Sequence, residues 1–175
     1  MANSAEKQGL GPIVSSSHLA AGAMPALSEM EFALTVAQNA FARWMVRCMD
    51  AAGLTGLTPL EVLVLHSAHH RERAKTLGDL CTVLNIEDTH LVSYAVKKLV
   101  KLGLVESGKR GKEKTVAATK AGREACETYK QVREKLLVSS IVEMGLNEEE
   151  VSRVAGLLRA ISGQYDQAAR GAASL

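Results

Sequence analysis

From Met30 onward the apolar positions recur at intervals of three and four. Met30, Leu34, Ala37, Phe41, Trp44 and Cys48 form one stripe, widened by Ala33, Val36, Ala40, Met45 and Met49. That spacing predicts a helix buried along one face. Ser28 is its expected N-cap, with Glu31 at capping-box spacing, and "GLTG" after Ala52 ends it. A second helix is expected from Thr58 as cap, through Pro59 in the first turn and Glu61 as box partner, to about His70. "RERAKT" reads as a polar connector, open to a short strand, and Thr76 then caps a short third helix, "LGDLCTVL". After the turn "NIEDTH" a fourth helix spans about Asp88 to Leu102 and stops at Gly103. There the period changes. "LVES" and "TVAAT" are β-type runs on either side of "GKRGKEK", which predicts a hairpin with Gly108 and Gly111 at its tip. Two helices close the chain, about Lys120 to Met144 and Asn147 to about Ala169. Between them "GLNEEE" supplies a Gly stop, an Asn cap and three acids where the helix dipole favours them. Met1 to Leu27 is rich in Ser, Gly, Ala and Pro without a period, and reads as a flexible arm.

Helix, helix, helix, helix, hairpin, helix, helix, with a short helix and a turn before the fourth, is the order of a winged helix-turn-helix. The expected fold class is mainly α, with a short β-hairpin wing. In that motif the fourth helix lies in the major groove of DNA and the wing reaches the neighbouring backbone or minor groove.

Charge supports this. The chain of 175 residues has a net charge of only +2, but Lys97 to Arg123 holds nine cations and two acids. Such asymmetry marks a surface for a polyanion. On the fourth helix Val92, Ala95, Val96, Leu99 and Leu102 gather on a core side. His90, Tyr94, Lys97 and Lys101 fall opposite, flanked by Ser93 and Lys98, with Thr89 in the first turn. Asp88 is the one acid, placed to cap the helix. Lys can reach phosphate or guanine, while His, Ser and Tyr can hydrogen-bond base edges. At the hairpin tip Lys109, Arg110, Lys112 and Lys114 are suited to phosphates.

Other chemistry is weaker. His66, His69 and His70 have the i, i+3, i+4 spacing of helical metal ligands, with Cys81 as a conceivable fourth. Histidine near a helix C-terminus has a plainer reason in the dipole. Cys48, Cys81 and Cys126 are odd in number and far apart, which excludes a disulfide framework. All three sit among apolar residues; Cys48 is the best placed for redox sensing. No Gly-rich phosphate loop, nucleophile elbow or strong metal motif occurs, so the protein is expected not to be an enzyme and to need no cofactor. With no apolar run of membrane-spanning length and no signal-peptide pattern, it is expected in the cytoplasm, away from membranes.

"LTPLEVLVL", "TLGDLCTVL", "VSYAVKKLVKLGLVE" and "TKAG", in that order, resemble the multiple antibiotic resistance regulator (MarR) family of bacterial transcription factors. The resemblance covers about Met30 to the C-terminus. It departs at the wing tip, "RGKEK", where the family usually has Asp and paired Arg. It departs too at Tyr94, where Arg often follows the Ser, and in the turn "NIEDTH", one residue longer. The resemblance implies a homodimer whose first and last helices pack across a two-fold axis, one wing per subunit. It also implies a small-molecule effector, for which Trp44, Met45 and Tyr129 could line a pocket. The organisation expected is then an arm (1–27) and one MarR-like domain (28–175). Within it 57–120 is the winged-helix DNA-binding lobe and 28–52 with 121–171 are the dimerisation helices. Leu34, Phe41, Val154, Leu157, Leu158 and Ile161 are the expected dimer contacts. The function expected is a sequence-specific DNA-binding transcriptional regulator, with repressor the favoured sign, bound as a homodimer to a pseudo-palindromic operator in double-stranded DNA. The alternative is a winged-helix protein-interaction module, or a ligand-, redox- or metal-sensing paralogue without strong operator binding.

Overall fold

The computed structural model describes residues 12–175. The first eleven residues of the expected arm lie outside it. The chain divides into one compact unit ending at Cys126 and another spanning Glu127–Leu175.

The first unit opens with a short 3-10 turn, Ser17–Ala20, packed on helix α1, Pro25–Ala51. The helix starts three residues before the expected cap. Pro25 nucleates it, being pre-set for the first helical position. Ser28 is therefore inside the first turn, and its hydroxyl donates to the Leu19 carbonyl instead of capping. Helices α2 (Pro59–His69), α3 (Leu77–Leu84) and α4 (Thr89–Lys101) follow as expected. The first two carry full capping boxes. Thr58 N–H donates to Glu61 Oε2 at 2.7 Å, and Thr76 N–H to Asp79 Oδ2 at 2.8 Å, each answered by the reverse bond.

The connector does contain a strand, β1 (Lys75–Thr76). It pairs antiparallel with β3 (Glu113–Ala118), which pairs antiparallel with β2 (Val105–Arg110), giving the order β1-β3-β2. The hairpin is longer in strand than the sequence suggests. Its turn is only Gly111 and Lys112, because Arg110 pairs with Glu113 and Lys109 with Lys114. Gly111 has φ +64°, which a two-residue hairpin turn demands at its first position. Gly108 lies in β2 rather than at the tip. A Cβ there would sit 3.0 Å from Thr115 Oγ1, so this glycine admits the buried Thr115.

Met45, Cys48 and Met49 of α1 meet Val62, Val64 and Leu65 of α2, Leu80, and Val92, Ala95, Val96 and Leu99 of α4 in a continuous core. The end of the hairpin is clamped to it. Thr119 N–H donates to the Leu104 carbonyl at 3.1 Å and its hydroxyl to the Gly103 carbonyl at 2.7 Å. Gly122 closes the clamp. A Cβ there would lie 2.0 Å from the Leu104 oxygen, so no other residue fits.

Helix α5, Lys120–Arg133, begins in the first unit. The second unit continues it through a π-helical turn, Glu134–Val138, into α6, Ser139–Glu143. Asn147 caps α7, Glu148–Ala172, in a box with Glu150. Beyond Tyr129 no residue is buried. Among the described residues no helix is long and apolar enough to cross a membrane.

Candidate nucleic-acid interface

Helix α4 is set by its two ends and its core face. The Asp88 carboxylate accepts the His90 N–H at 2.8 Å, which commits it to capping. Val92, Ala95, Val96 and Leu99 are buried against α2 and α3, which fixes the rotation of the helix. Leu102 is not part of that face. It is the C-cap, past the last turn, and is 50% exposed.

Opposite the core, Thr89, His90, Tyr94, Lys97 and Lys101 are exposed, and Ser93 is partly so. Lys97 Nζ stands 5.2 Å from the centre of the Tyr94 ring, a cation–π contact between two residues of the exposed face. Lys98 behaves differently from its neighbours. Its ammonium donates to Glu61 Oε2 at 2.8 Å and to the Gly56 carbonyl at 2.7 Å, so it ties α4 to the start of α2. The sequence assigned Glu61 only a capping role, since nothing in the spacing links it to a residue 37 positions away.

On the wing Lys109, Arg110, Lys112 and Lys114 are all exposed. Lys109 and Lys114 are direct cross-strand partners, a like-charge pair that costs the hairpin some stability. An anion between them would remove that cost. Arg110 lies 3.8 Å from both Asp79 and Glu113, so its guanidinium is shared. The Asp79 carboxyl is held below its usual range, first by the Thr76 hydrogen bonds and then by the Arg110 and Arg73 charges.

The histidines do not assemble a ligand set. His66 and His69 are partly buried on α2, while His70 is exposed in the following turn. Burial, and then the charge of His69, lower the His66 pKa. Among the described residues no group of three or more His, Cys, Asp or Glu could hold a metal ion. The three cysteines form no disulfide and are buried, Cys48 within the core. Burial raises the Cys126 thiol to about 11, so it stays protonated at neutral pH. Met45 and Tyr129 are buried and Trp44 is partly so.

The expected dimer contacts are uncovered within the chain. Leu34 and Phe41 on α1 and Val154, Leu157 and Leu158 on α7 are exposed, Phe41 by 53% and Leu157 by 57%, and Ile161 is partly so.

Residues 57–122 match the family model described as a winged helix DNA-binding domain. That stretch runs from the start of α2 through the wing, so the class that the fold defines is a winged helix. Over a longer span the chain is similar to a MarR-family transcriptional regulator from Rhodococcus sp. RHA1. Identity is 18%, over 81% of this chain and 96% of that one, with a TM-score of 0.64. It is similar to CouR from Rhodococcus jostii RHA1 bound to p-coumaroyl-CoA, at 19% identity over 75% and 90% of the two chains, TM-score 0.63. It is also similar to the oxidized form of MarR from E. coli, at 20% identity over 73% and 90%, TM-score 0.57. The chain thus has the fold of MarR-family regulators. No curated protein matches its sequence.

Proposed function

We propose that the protein is a MarR-type, sequence-specific transcriptional regulator that binds a pseudo-palindromic operator as a homodimer, as a repressor in the cytoplasm and not as an enzyme. The observation that carries this reading is the charge of one face. On α4 Thr89, His90, Tyr94, Lys97 and Lys101 are exposed donors or cations with no acid among them, and the hairpin beyond it carries four exposed cations and one acid, Glu113, around a two-residue turn. Solvated helix faces ordinarily mix signs. Here His90, Ser93 and Tyr94 read base edges, Lys97 and Lys101 reach guanine or phosphate, and Lys109, Arg110, Lys112 and Lys114 hold the backbone.

A second copy covers the apolar residues that α1 and α7 leave exposed. Burying large side chains such as Leu34, Phe41, Val154, Leu157 and Leu158 contributes roughly 1.5–3 kcal/mol each if fully removed from water. A small-molecule effector belongs to the same reading, supported by the similar structure that holds p-coumaroyl-CoA.

The test is to incubate the purified protein with sheared DNA of its own genome and sequence what it retains. The reading requires an inverted repeat with half-sites about 10 base pairs apart, the distance between adjacent major grooves on one side of the duplex. Retention of random fragments, with a steep salt dependence but no shared sequence, would leave a DNA-binding protein that is not an operator-specific regulator.

A further inference from the structure

The connector after α2 makes a sharp corner. Arg71 (φ +59°) and Glu72 (φ +48°) both adopt the left-handed conformation that side-chain-bearing residues rarely take. Lys75 holds the corner closed. Its stem is buried in β1, and its ammonium donates to the carbonyls of His70, at 2.7 Å, and Arg73, at 3.0 Å. Arg71 and Arg73 both line an open cleft of about 640 Å³, together with His70, Lys75, Thr76, Gly78 and Asp79.

The charge of this cleft is out of balance. Neither Arg71 nor Arg73 forms an ion pair among the described residues. The one lining carboxylate, Asp79, already accepts the Thr76 amide at 2.8 Å and lies 3.8 Å from Arg110. Burial, and then the Arg73 and Arg71 charges, lower the pKa of Lys75, and the opposing pull of Asp79 does not cancel them. The Lys75 bonds to the His70 and Arg73 carbonyls fix the backbone that carries both arginines.

We propose that this cleft is a phosphate-binding site, with Arg71 and Arg73 as the ligands of the anion and Lys75 as the residue that positions them. Guanidinium forks match the oxygens of a phosphate, and two of them offer the charge-assisted, bidentate bonds that a single surface lysine cannot. The phosphate comes either from the backbone of DNA flanking the operator half-site or from a free phosphorylated molecule. The first source rests on the regulator reading above; the second does not.

The experiment has two arms, both with the full chain. Arg71→Gln/Arg73→Gln removes the ligands at exposed positions, where folding is unaffected by the change and a thermal melt checks this. Lys130→Gln/Arg133→Gln removes the same charge from exposed positions elsewhere. In the first arm inorganic pyrophosphate is titrated at low salt and followed by phosphorus NMR. Saturable binding weakened about tenfold in the arginine variant, and little changed in the control, supports the site and a free ligand. In the second arm affinity for duplex is measured against salt. A slope shallower by about two per protomer in the arginine variant, beyond any change in the control, supports the site and the DNA backbone as source. Pyrophosphate binding no weaker than in the control, or absent, together with an unchanged duplex slope, overturns the proposal. A protein that binds pyrophosphate through these arginines but no duplex would sink the regulator reading and leave the cleft standing.

Discussion

Lys98 Nζ lies 2.8 Å from Glu61 Oε2, and the same oxygen accepts the Thr58 N–H at 2.7 Å. One carboxylate therefore closes the cap of α2 and anchors α4. Lys98→Met would leave the Glu61 side chain, only 10% exposed, without its counter-charge. With Lys98 itself 41% exposed, water softens the loss, so the cost expected is roughly 1–2 kcal/mol in a urea melt. Adding Glu61→Gln should cost less than the sum of the single changes. Additive losses would show that the pair does not couple.

Wing and helix should separate in their dependence on sequence. Lys112→Ala should weaken specific and random duplex alike and make the salt slope shallower by about one per protomer. Tyr94→Ala should cost specific binding about 1–3 kcal/mol for each base edge no longer read, with random binding nearly unchanged. Because Lys97 stands over the Tyr94 ring, Tyr94→Phe should retain more of that preference than Tyr94→Ala. Preference kept in Tyr94→Ala but abolished in Lys112→Ala would reverse the two roles.

Gly122→Ala should be among the most damaging small substitutions. Its Cβ would meet the Leu104 carbonyl oxygen at 2.0 Å and carbon at 3.0 Å, and Leu65 Cδ1 at 3.2 Å. Backbone cannot yield as a side-chain tip can, so about 3 kcal/mol or more is expected from calorimetry. A change below about 0.5 kcal/mol would mean that the clamp between the wing and α5 opens freely.

Leu158→Glu places a charge where a second copy is expected. Sedimentation at micromolar concentration should show a dimer for the unchanged chain and a monomer, or an unfolded chain, for the variant. An unchanged chain that sediments as a stable monomer removes the dimer from the proposed function.

The pH dependence of stability should carry a signature of His66. Its pKa is lowered in the folded chain from 6.5, chiefly by burial. The unfolded chain then binds more protons, so this contribution is fully present above 6.5 and is lost as pH falls below it. Denaturant midpoints should decline as the pH drops below 6.5, and His66→Gln should flatten that decline. A variant with the same slope as the parent would assign it to other groups.

Which parts are legible in the sequence follows from the range of the forces. Capping and amphipathic period act within a few residues, so Thr58 with Glu61, Thr76 as cap, Asp88 before α4 and Asn147 before α7 are all readable from spacing. The core face of α4 is readable for Val92, Ala95, Val96 and Leu99, and fails at Leu102, where the helix ends and its period ceases to apply. At the start of α1 two local signals compete. A Ser with Glu three residues on looks like a cap, but Pro25 begins the helix earlier and the Ser28 hydroxyl turns to Leu19. What only the tertiary structure decided depends on partners far apart in sequence. Lys98 gained its bonds to Glu61 and Gly56 because packing of α2 on α4 brings them within reach. Gly108 is a strand residue because the turn at Gly111 and Lys112 sets a register that pairs it with Thr115. Arg71 and Arg73 became a candidate site because a buried Lys75 draws the chain into a left-handed corner, an arrangement that no periodicity encodes.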